Sequence, residues 1–392
     1  MMDYPNTIIL DGVQLAETRT LLISGKDKFL QGALGRLERR AHEWLTQGPW
    51  SVVNKVKPPP SGDIHDYTSL APYWWPSPTA DGSPYVRRDG EKNPEVYNYS
   101  DRLNAENVFT ASYELSLAWF YTSNESYSRH AANILRTWFI SPTTRMNPNL
   151  NHAQVIPHAN NGRCIGIIDF SQGYTSVIDA AILLAGDSSG QPAPGWTRED
   201  IAGFQNWNVE FLHWLTNSSF GREESAQQNN HGTFAAMQKA AIARFVGNHE
   251  QAKREILNIR ERINASIASD GSQPEELERT RSWHYSIFNL LALTRIAAIG
   301  QKVGVDLWSY QGPQGQSITK AIEYLIPAAI SKATWQGAEK EFLPFAAADV
   351  LRAAAVAGSE LARIAVPKLL LPPDDIWVLR PAPEQLDAVR LK

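Results

Sequence analysis

The chain has 392 residues, 43% hydrophobic and 20% charged, a balance that describes a folded protein with ample core and excludes a disordered one. A formal net charge of −4 offers no overall basic surface for nucleic acid, although a local basic cleft for an anionic ligand is compatible with it. The single cysteine, Cys164, excludes an intramolecular disulfide, and no apolar run approaches the ~18 residues of a membrane span.

From the start of the chain, Met1-Met2-Asp3-Tyr4-Pro5 lacks the basic stretch and apolar core of a signal peptide, which fits a protein that stays inside or one whose leader is already removed. Residues 28–47 then carry Leu30, Leu34, Leu37, Ala41 and Trp44 at helical spacing. After a long irregular stretch, residues 105–123 follow Asn104 as a cap and place Phe109, Tyr113, Leu117 and Phe120 on one face. Further helices are expected over residues 126–139, 171–185, 198–215, 233–246, 249–269, 282–299, 317–332 and 345–364. The segment 233–246 sets Phe234, Met237, Ala241 and Phe245 on a stripe beside Ala235, Ala236 and Ala240, small residues that let another helix pack closely. The expectation is an all-α chain of ten to fourteen helices that pair into a toroid or a curved open stack, read as one domain over residues 1–392. Length alone favours two or three domains, but large helical toroids exceed that rule.

The irregular segments are long: 51–102, 141–169, 186–197 and the tail after Pro367. Such loops in a compact helical protein are functional or disordered. Residues 51–102 contain Tyr73, Trp74, Trp75 and Tyr85, too aromatic for disorder, and are read as an ordered binding loop over the toroid mouth. The whole chain holds 13 Trp, 13 Tyr and 13 Phe. Flat ring faces stack on sugars, but a large helical core uses the same residues as filler.

Several familiar signals are set aside. Gly186-Asp187-Ser188-Ser189-Gly190 has the spacing of a nucleophile elbow but follows a helix and leads into Gln191-Pro192, so it is read as a loop. Cys164 near His158 is read as an inert thiol. No zinc-protease helix motif, paired C-x-x-C or phosphate-cradling glycine loop occurs, so neither a metal nor a cofactor is expected.

Two segments carry chemistry. Gln227-Gln228-Asn229-Asn230-His231-Gly232 gathers five hydrogen-bonding side chains before an Ala-rich helix. Capping by Asn230 needs only one of them, and burying the others is tolerable where a polar ligand is their partner. The second is Glu275-Glu276-Leu277-Glu278-Arg279-Thr280-Arg281-Ser282-Trp283-His284-Tyr285, where the arginines either pair with the glutamates or serve a ligand. Taken together the segments suit elimination from a uronate. The C5 proton lies α to a carboxylate and is barely acidic, so that carboxylate must be neutralised. Arg279 can do this bidentately, with Asn230 and His231 donating further hydrogen bonds. In β-linked glucuronate and mannuronate H5 and O4 lie on one side of the ring, so one residue can take the proton and pass one to O4. Tyr285 suits that task if a nearby cation lowers its pKa from ~10.

These segments resemble the alginate lyase superfamily of helical toroid lyases, in which an Asn-His pair is followed by an Arg and a Tyr. Here the matching residues are Asn230-His231, Arg279 and, 54 positions past His231, Tyr285. Residues 66–76, with Tyr73-Trp74-Trp75-Pro76, and residues 81–90, with Tyr85, Arg87 and Arg88, look like the signature of a branch similar to the family of alginate and glucuronan lyases. The likeness spans roughly residues 50–350 and implies an incomplete (α/α) toroid acting on an anionic polyuronate without a cofactor, as a monomer outside the cell or in the periplasm. It makes Tyr285, His231, Asn230 and Arg279 the catalytic candidates. Tyr73, Trp74, Trp75, Arg87, Arg88, Arg163, Gln228, Asn229, Arg281, Trp283 and His284 become the candidates for substrate binding. The Arg-to-Tyr interval is one residue shorter than in the best-known mannuronate lyases, so Arg281 competes with the preferred Arg279. Two other readings are a toroid glycoside hydrolase using Asp66, Glu106 and Glu276, and a polyuronate-binding protein without activity.

Overall fold

A computed structural model describes residues 4–186 and 191–383. The Gly-x-Ser-x-Gly run lies largely outside these residues, at 187–190. The chain divides into two compact units, residues 1–7 with 11–224 and residues 8–10 with 225–392, and each is described separately.

The first unit contains α1 (Gly12–Ser24), α2 (Lys28–Trp44), α3 (Ser100–Thr122), α4 (Glu125–Leu135), α5 (Ile168–Ser171), α6 (Tyr174–Ala185), α7 (Arg198–Asn217) and most of α8 (Ser219–Ala226). The helix starts follow side-chain chemistry: Asp11 and Asp27 accept from the first-turn N–H groups of α1 and α2, and Thr197 forms a capping box with Asp200. Helix α3 is the hub, touching α1, α2, α4 and α6. Its Phe109 packs edge-on against Phe170 at 4.9 Å, and the aromatic layer continues through Tyr174, Phe139, Trp207 and Phe211. Trp44, Trp138, Trp196 and Trp207 are buried here, so much of the tryptophan excess in this unit is core.

Residues 51–102 are ordered by polar anchors more than by ladders. A short parallel pair joins β1 (Thr68–Leu70) to β4 (His152–Val155), and an antiparallel pair joins β2 (Trp74–Trp75) to β3 (Val86–Arg87). Beneath them Lys55 Nζ lies 2.5 Å from Asp101, with both side chains buried. Asp101 also accepts from the Thr68 N–H at 3.0 Å, and burial pushes its carboxyl up to about 6. Asp169 accepts from Tyr67, Ser69 and Gln154 at 3.1, 2.6 and 2.9 Å.

The second unit contains α9 (Asn230–Phe245), α10 (His249–Ser266), α11 (Pro274–Leu277), α12 (Ser282–Lys302), α13 (Ile318–Ala329), α14 (Ala348–Val356) and α15 (Glu360–Ala365). Helices α9 and α10 form a hairpin through Gly247, whose φ of +83° is readily adopted only by glycine. Helix α12 is buried along most of its length and packs on α9, α10, α11, α13 and α14. Of the small side chains expected beside the α9 stripe, Ala235 and Ala240 are buried and Ala236 is half-buried. The tail is clasped by Arg352, which holds Asp375 through two 2.8 Å bonds.

The structure departs from the sequence reading in several places. Helix α3 begins at Ser100 after Tyr99, so Asn104 lies one turn inside it and does not cap it. Helix α1 was not expected, because exposed Leu21 and Ile23 blur the stripe of Leu15, Thr18 and Leu22 that it buries. The expected helix 345–364 is broken at Gly358, where φ is +104°, into α14 and α15. Helix α9 begins at Asn230, so the residue that caps it is Asn229 and not Asn230. Among the described residues no single helix is long and apolar enough to cross a membrane. Replacing Trp207, which packs on Phe139 at 4.8 Å and donates to the Met146 carbonyl at 2.8 Å, with alanine should cost about 3–5 kcal/mol. The check is a lower denaturant midpoint at unchanged m-value.

Candidate active site

The second unit builds its site from two helix starts. Asn229 accepts from the His231 N–H at 3.2 Å and so closes the first turn of α9. The approach to that turn is held by Arg262 of α10, whose guanidinium donates to the Gln227 carbonyl at 2.6 Å and the Ser225 carbonyl at 3.0 Å. Gly232 is required by this fit: a Cβ there would lie 2.2 Å from the Gln227 carbonyl oxygen and 2.4 Å from the Arg262 guanidinium.

Asn230, 1% exposed, is fixed from below by Glu276 of α11. Its backbone N–H donates to Glu276 Oε1 and its Nδ2 to Oε2, each at 2.8 Å. Burial pushes the Glu276 carboxyl above the ordinary range, opposed by these two bonds and by the charges of Arg279 and His231. Helix α11 is tied in turn to α12, because Gln273 donates to the Ser286 carbonyl at 3.0 Å and accepts from Asn289 at 2.7 Å.

At the start of α12 the Arg279 guanidinium lies over the Tyr285 ring, 3.7 Å from its centroid. Arg281 turns elsewhere, with Nε 3.9 Å from Glu339, a carboxylate that also takes the His284 N–H at 3.0 Å. Of the two arginines, Arg279 is therefore the one stacked on Tyr285. Phe234 and Phe288 meet at 4.2 Å, four residues into the chain from Asn230 and His284 respectively. The first turns of α9 and α12 thus share one end of the unit, where the N–H groups of Asn230, His231 and His284 are already taken by Glu276, Asn229 and Glu339. His284 stacks on Phe288 at 5.8 Å and meets Tyr285 edge-on.

Not every expected residue belongs here. Trp283, read as a sugar-stacking ring, is a core residue: it is 1% exposed, wedged between Trp335 and Phe342, and donates to the Leu343 carbonyl at 2.9 Å. Gln228 is exposed and folds back on the Ala226 carbonyl at 3.0 Å. Asn229 is engaged as the cap.

The remaining binding candidates lie in the first unit. Trp74 pairs with Arg87 and Trp75 with Val86 across the β2–β3 ribbon. Arg163 covers Trp74 at 5.6 Å and Arg88 covers Trp75 at 4.8 Å. Neighbouring residues of a strand point to opposite faces, so the two half-buried indoles do not make one continuous platform. Burial lowers the Arg163 pKa below that of an ordinary arginine, whereas Arg87 is exposed and paired with Asp89 at 2.7 Å. Tyr73 is half-buried, and its carbonyl accepts from the Arg88 N–H at 2.8 Å.

The carboxylates considered for hydrolysis are all committed to partners. Asp66, which burial alone would push up, is held below the usual range by hydrogen bonds from Asn147, Ser61 and Asn149. Glu106 accepts from Arg102 at 3.2 Å, and Glu276 serves Asn230. Burial pushes the Cys164 thiol up to about 12, which suits the inert reading. No group of three or more His, Cys, Asp or Glu among the described residues is placed to hold a metal.

A mainly helical frame thus sets an Asn-His pair and an Arg-Tyr pair at adjoining helix starts. The family model described as alginate lyase matches residues 51–335, and the chain belongs to that family. A crystal structure of an alginate lyase from Bacteroides ovatus matches with a TM-score of 0.89 at 31% identity, covering 97% of this chain and 100% of that one. Alginate lyase A1-III from Sphingomonas species A1 shares the fold at 17% identity, with a TM-score of 0.59 over 95% of this chain and 97% of that one. A variant of A1-III complexed with a tetrasaccharide matches at 16% identity and a TM-score of 0.60, over 96% of this chain and 97% of that one. Among curated proteins none matches. The fold class expected from the sequence, all-α and of the helical toroid type, is that of these neighbours.

Replacing Gly232 with alanine forces its Cβ against backbone and guanidinium and should destabilise the protein by about 1–3 kcal/mol. A lower melting temperature, with faster amide exchange at residues 225–229, is the expected result.

Proposed function

We propose that the protein is a polysaccharide lyase that cleaves β-1,4-linked polyuronate, polymannuronate or glucuronan, by syn β-elimination. The observation that carries this reading is the Arg279 guanidinium stacked on Tyr285, in the same unit as the Asn230–His231 start of α9. The family and the Bacteroides ovatus match support an alginate-like substrate.

In this reading the uronate carboxylate is held by the side chains of Arg279, Asn230 and His231, so that negative charge building on it as C5 loses its proton is offset. Tyr285, as phenolate, removes the C5 proton beside the Arg279 guanidinium stacked on its ring. The C5 electron pair then forms the C4–C5 double bond as the C4–O4 bond breaks. The tyrosine proton passes to the departing O4, which remains on the neighbouring sugar as a new reducing end. That transfer itself returns Tyr285 to phenolate, so the proton balance closes within one turnover, and no cofactor enters the scheme. Glucuronate and mannuronate differ only at C2, away from these atoms, which is why both fit. On the first unit, the guanidinium groups of Arg87, Arg88 and Arg163 with the faces of Trp74 and Trp75 supply the charge and apolar surface that suit an anionic sugar.

Tyr285→Phe should lower the rate of appearance of the ultraviolet absorbance of 4,5-unsaturated uronate by roughly 10²–10⁴-fold on polymannuronate or glucuronan, the usual share of general acid–base catalysis, with the circular dichroism unchanged. Full activity in that variant excludes Tyr285 as the proton carrier. Saturated products from the wild-type protein would instead point to hydrolysis. Guluronate is epimeric at C5 and requires anti elimination, so polyguluronate should be a poor substrate.

A further inference from the structure

We infer that Glu276 is a positioning residue for this elimination, acting on the substrate only through Asn230. The inference rests on the lyase reading above and adds to it a residue that touches no reacting atom.

Glu276 is 2% exposed, on a helix of four residues whose neighbours are Asn230, Arg279 and the start of α12. A buried carboxylate next to a site built to receive a carboxylate is an electrostatic liability unless it has a specific task. Both of its oxygens accept from one residue, the Asn230 backbone N–H and Nδ2, each at 2.8 Å. That two-point grip fixes both the first turn of α9 and the side-chain torsions of Asn230. An amide nitrogen has two protons. With one directed at Glu276, the direction of the second is set by planarity, and so is that of Oδ1. Without the carboxylate the amide is free to rotate, and the donor to the substrate carboxylate is lost even though the asparagine is present.

A direct role is disfavoured by the same geometry. A protonated Glu276 that donated to the substrate carboxylate would have to turn one oxygen away from Asn230, leaving a buried N–H without its acceptor. The charge it brings is offset by Arg279 and His231, the two charge partners that oppose burial at this carboxyl. Its helix is in turn fixed by Gln273, which bonds Ser286 and Asn289 of α12, so the grip on Asn230 is referred to the same helix that carries Tyr285.

The test is a double-mutant cycle on polymannuronate and glucuronan with Glu276→Gln, Asn230→Ala and the two combined, read as the rate of unsaturated product. Glutamine keeps the shape but offers one acceptor and sets an NH2 group against a donor. We expect E276Q to lower kcat on the order of 10²-fold, the scale of a small misplacement of a catalytic group, with KM nearly unchanged. In the Asn230→Ala background the same change should have almost no further effect. If E276Q does not fold, Glu276→Asp takes its place in the cycle; it keeps the charge but is one methylene too short for both bonds, and the same non-additive loss is expected. Losses that simply multiply would overturn the inference, because Glu276 would then act independently of Asn230. Loss confined to KM would overturn it too. A wild-type protein that releases no unsaturated product on any uronan overturns the lyase reading and this inference with it, whereas turnover with multiplying losses overturns this inference alone.

Discussion

The second unit depends on the burial of one carboxylate. Glu276 is taken out of water, where an ion is stable only if its lone pairs are met and its charge is opposed. Asn230 meets the first need, and Arg279 and His231 the second. Because those partners sit on α9 and just before α12, satisfying the ion also fixes where both helices begin. The Phe234–Phe288 contact one turn further in then makes the arrangement stiff, since neither start can slide without opening apolar core. Arg262 performs the complementary task on the approach to α9, turning the carbonyls of residues 225 and 227 into acceptors for a guanidinium and leaving room only for glycine at position 232.

The first unit solves a different problem by similar means. Residues 51–102 have almost no regular hydrogen-bond ladder, yet they are ordered. Their backbone is secured by buried side chains: Asp101 holds the start of β1, Asp169 collects Tyr67, Ser69 and Gln154, and Asp66 gathers Ser61, Asn147 and Asn149. A loop ordered in this way keeps its aromatic and guanidinium groups on a defined ribbon, where loops are the usual carriers of recognition.

The helices and the core were largely legible because apolar residues recur at helical spacing, as in α2 and α9. What escaped was governed by tertiary context. Helix α1 buries a narrow stripe and exposes Leu21 and Ile23, so its pattern does not stand out. Asn230 was recognisable as a polar residue at a helix start, but two adjacent asparagines cannot be told apart as cap and first residue without the carboxylate that claims one of them. Glu275, Glu276 and Glu278 form an acidic run that reads as a solvated turn; only packing shows that Glu276 is the one underneath. Trp283 lay in the right segment and so read as a sugar platform, while the Trp335 and Phe342 rings that enclose it are more than fifty positions away. Arg262 and Glu339 carry no local signal, since each acts on a segment distant in sequence.

The contrast in setting between Arg87 and Arg279 has a consequence for ionic strength. The Arg87 side chain is 56% exposed, whereas Arg279 is pressed on the face of a tyrosine that is 7% exposed. Mobile ions screen charges in open water over about 8–10 Å at ordinary salt, but reach a ring-covered guanidinium far less. Added salt therefore weakens the attraction of an anion to Arg87 more than to Arg279.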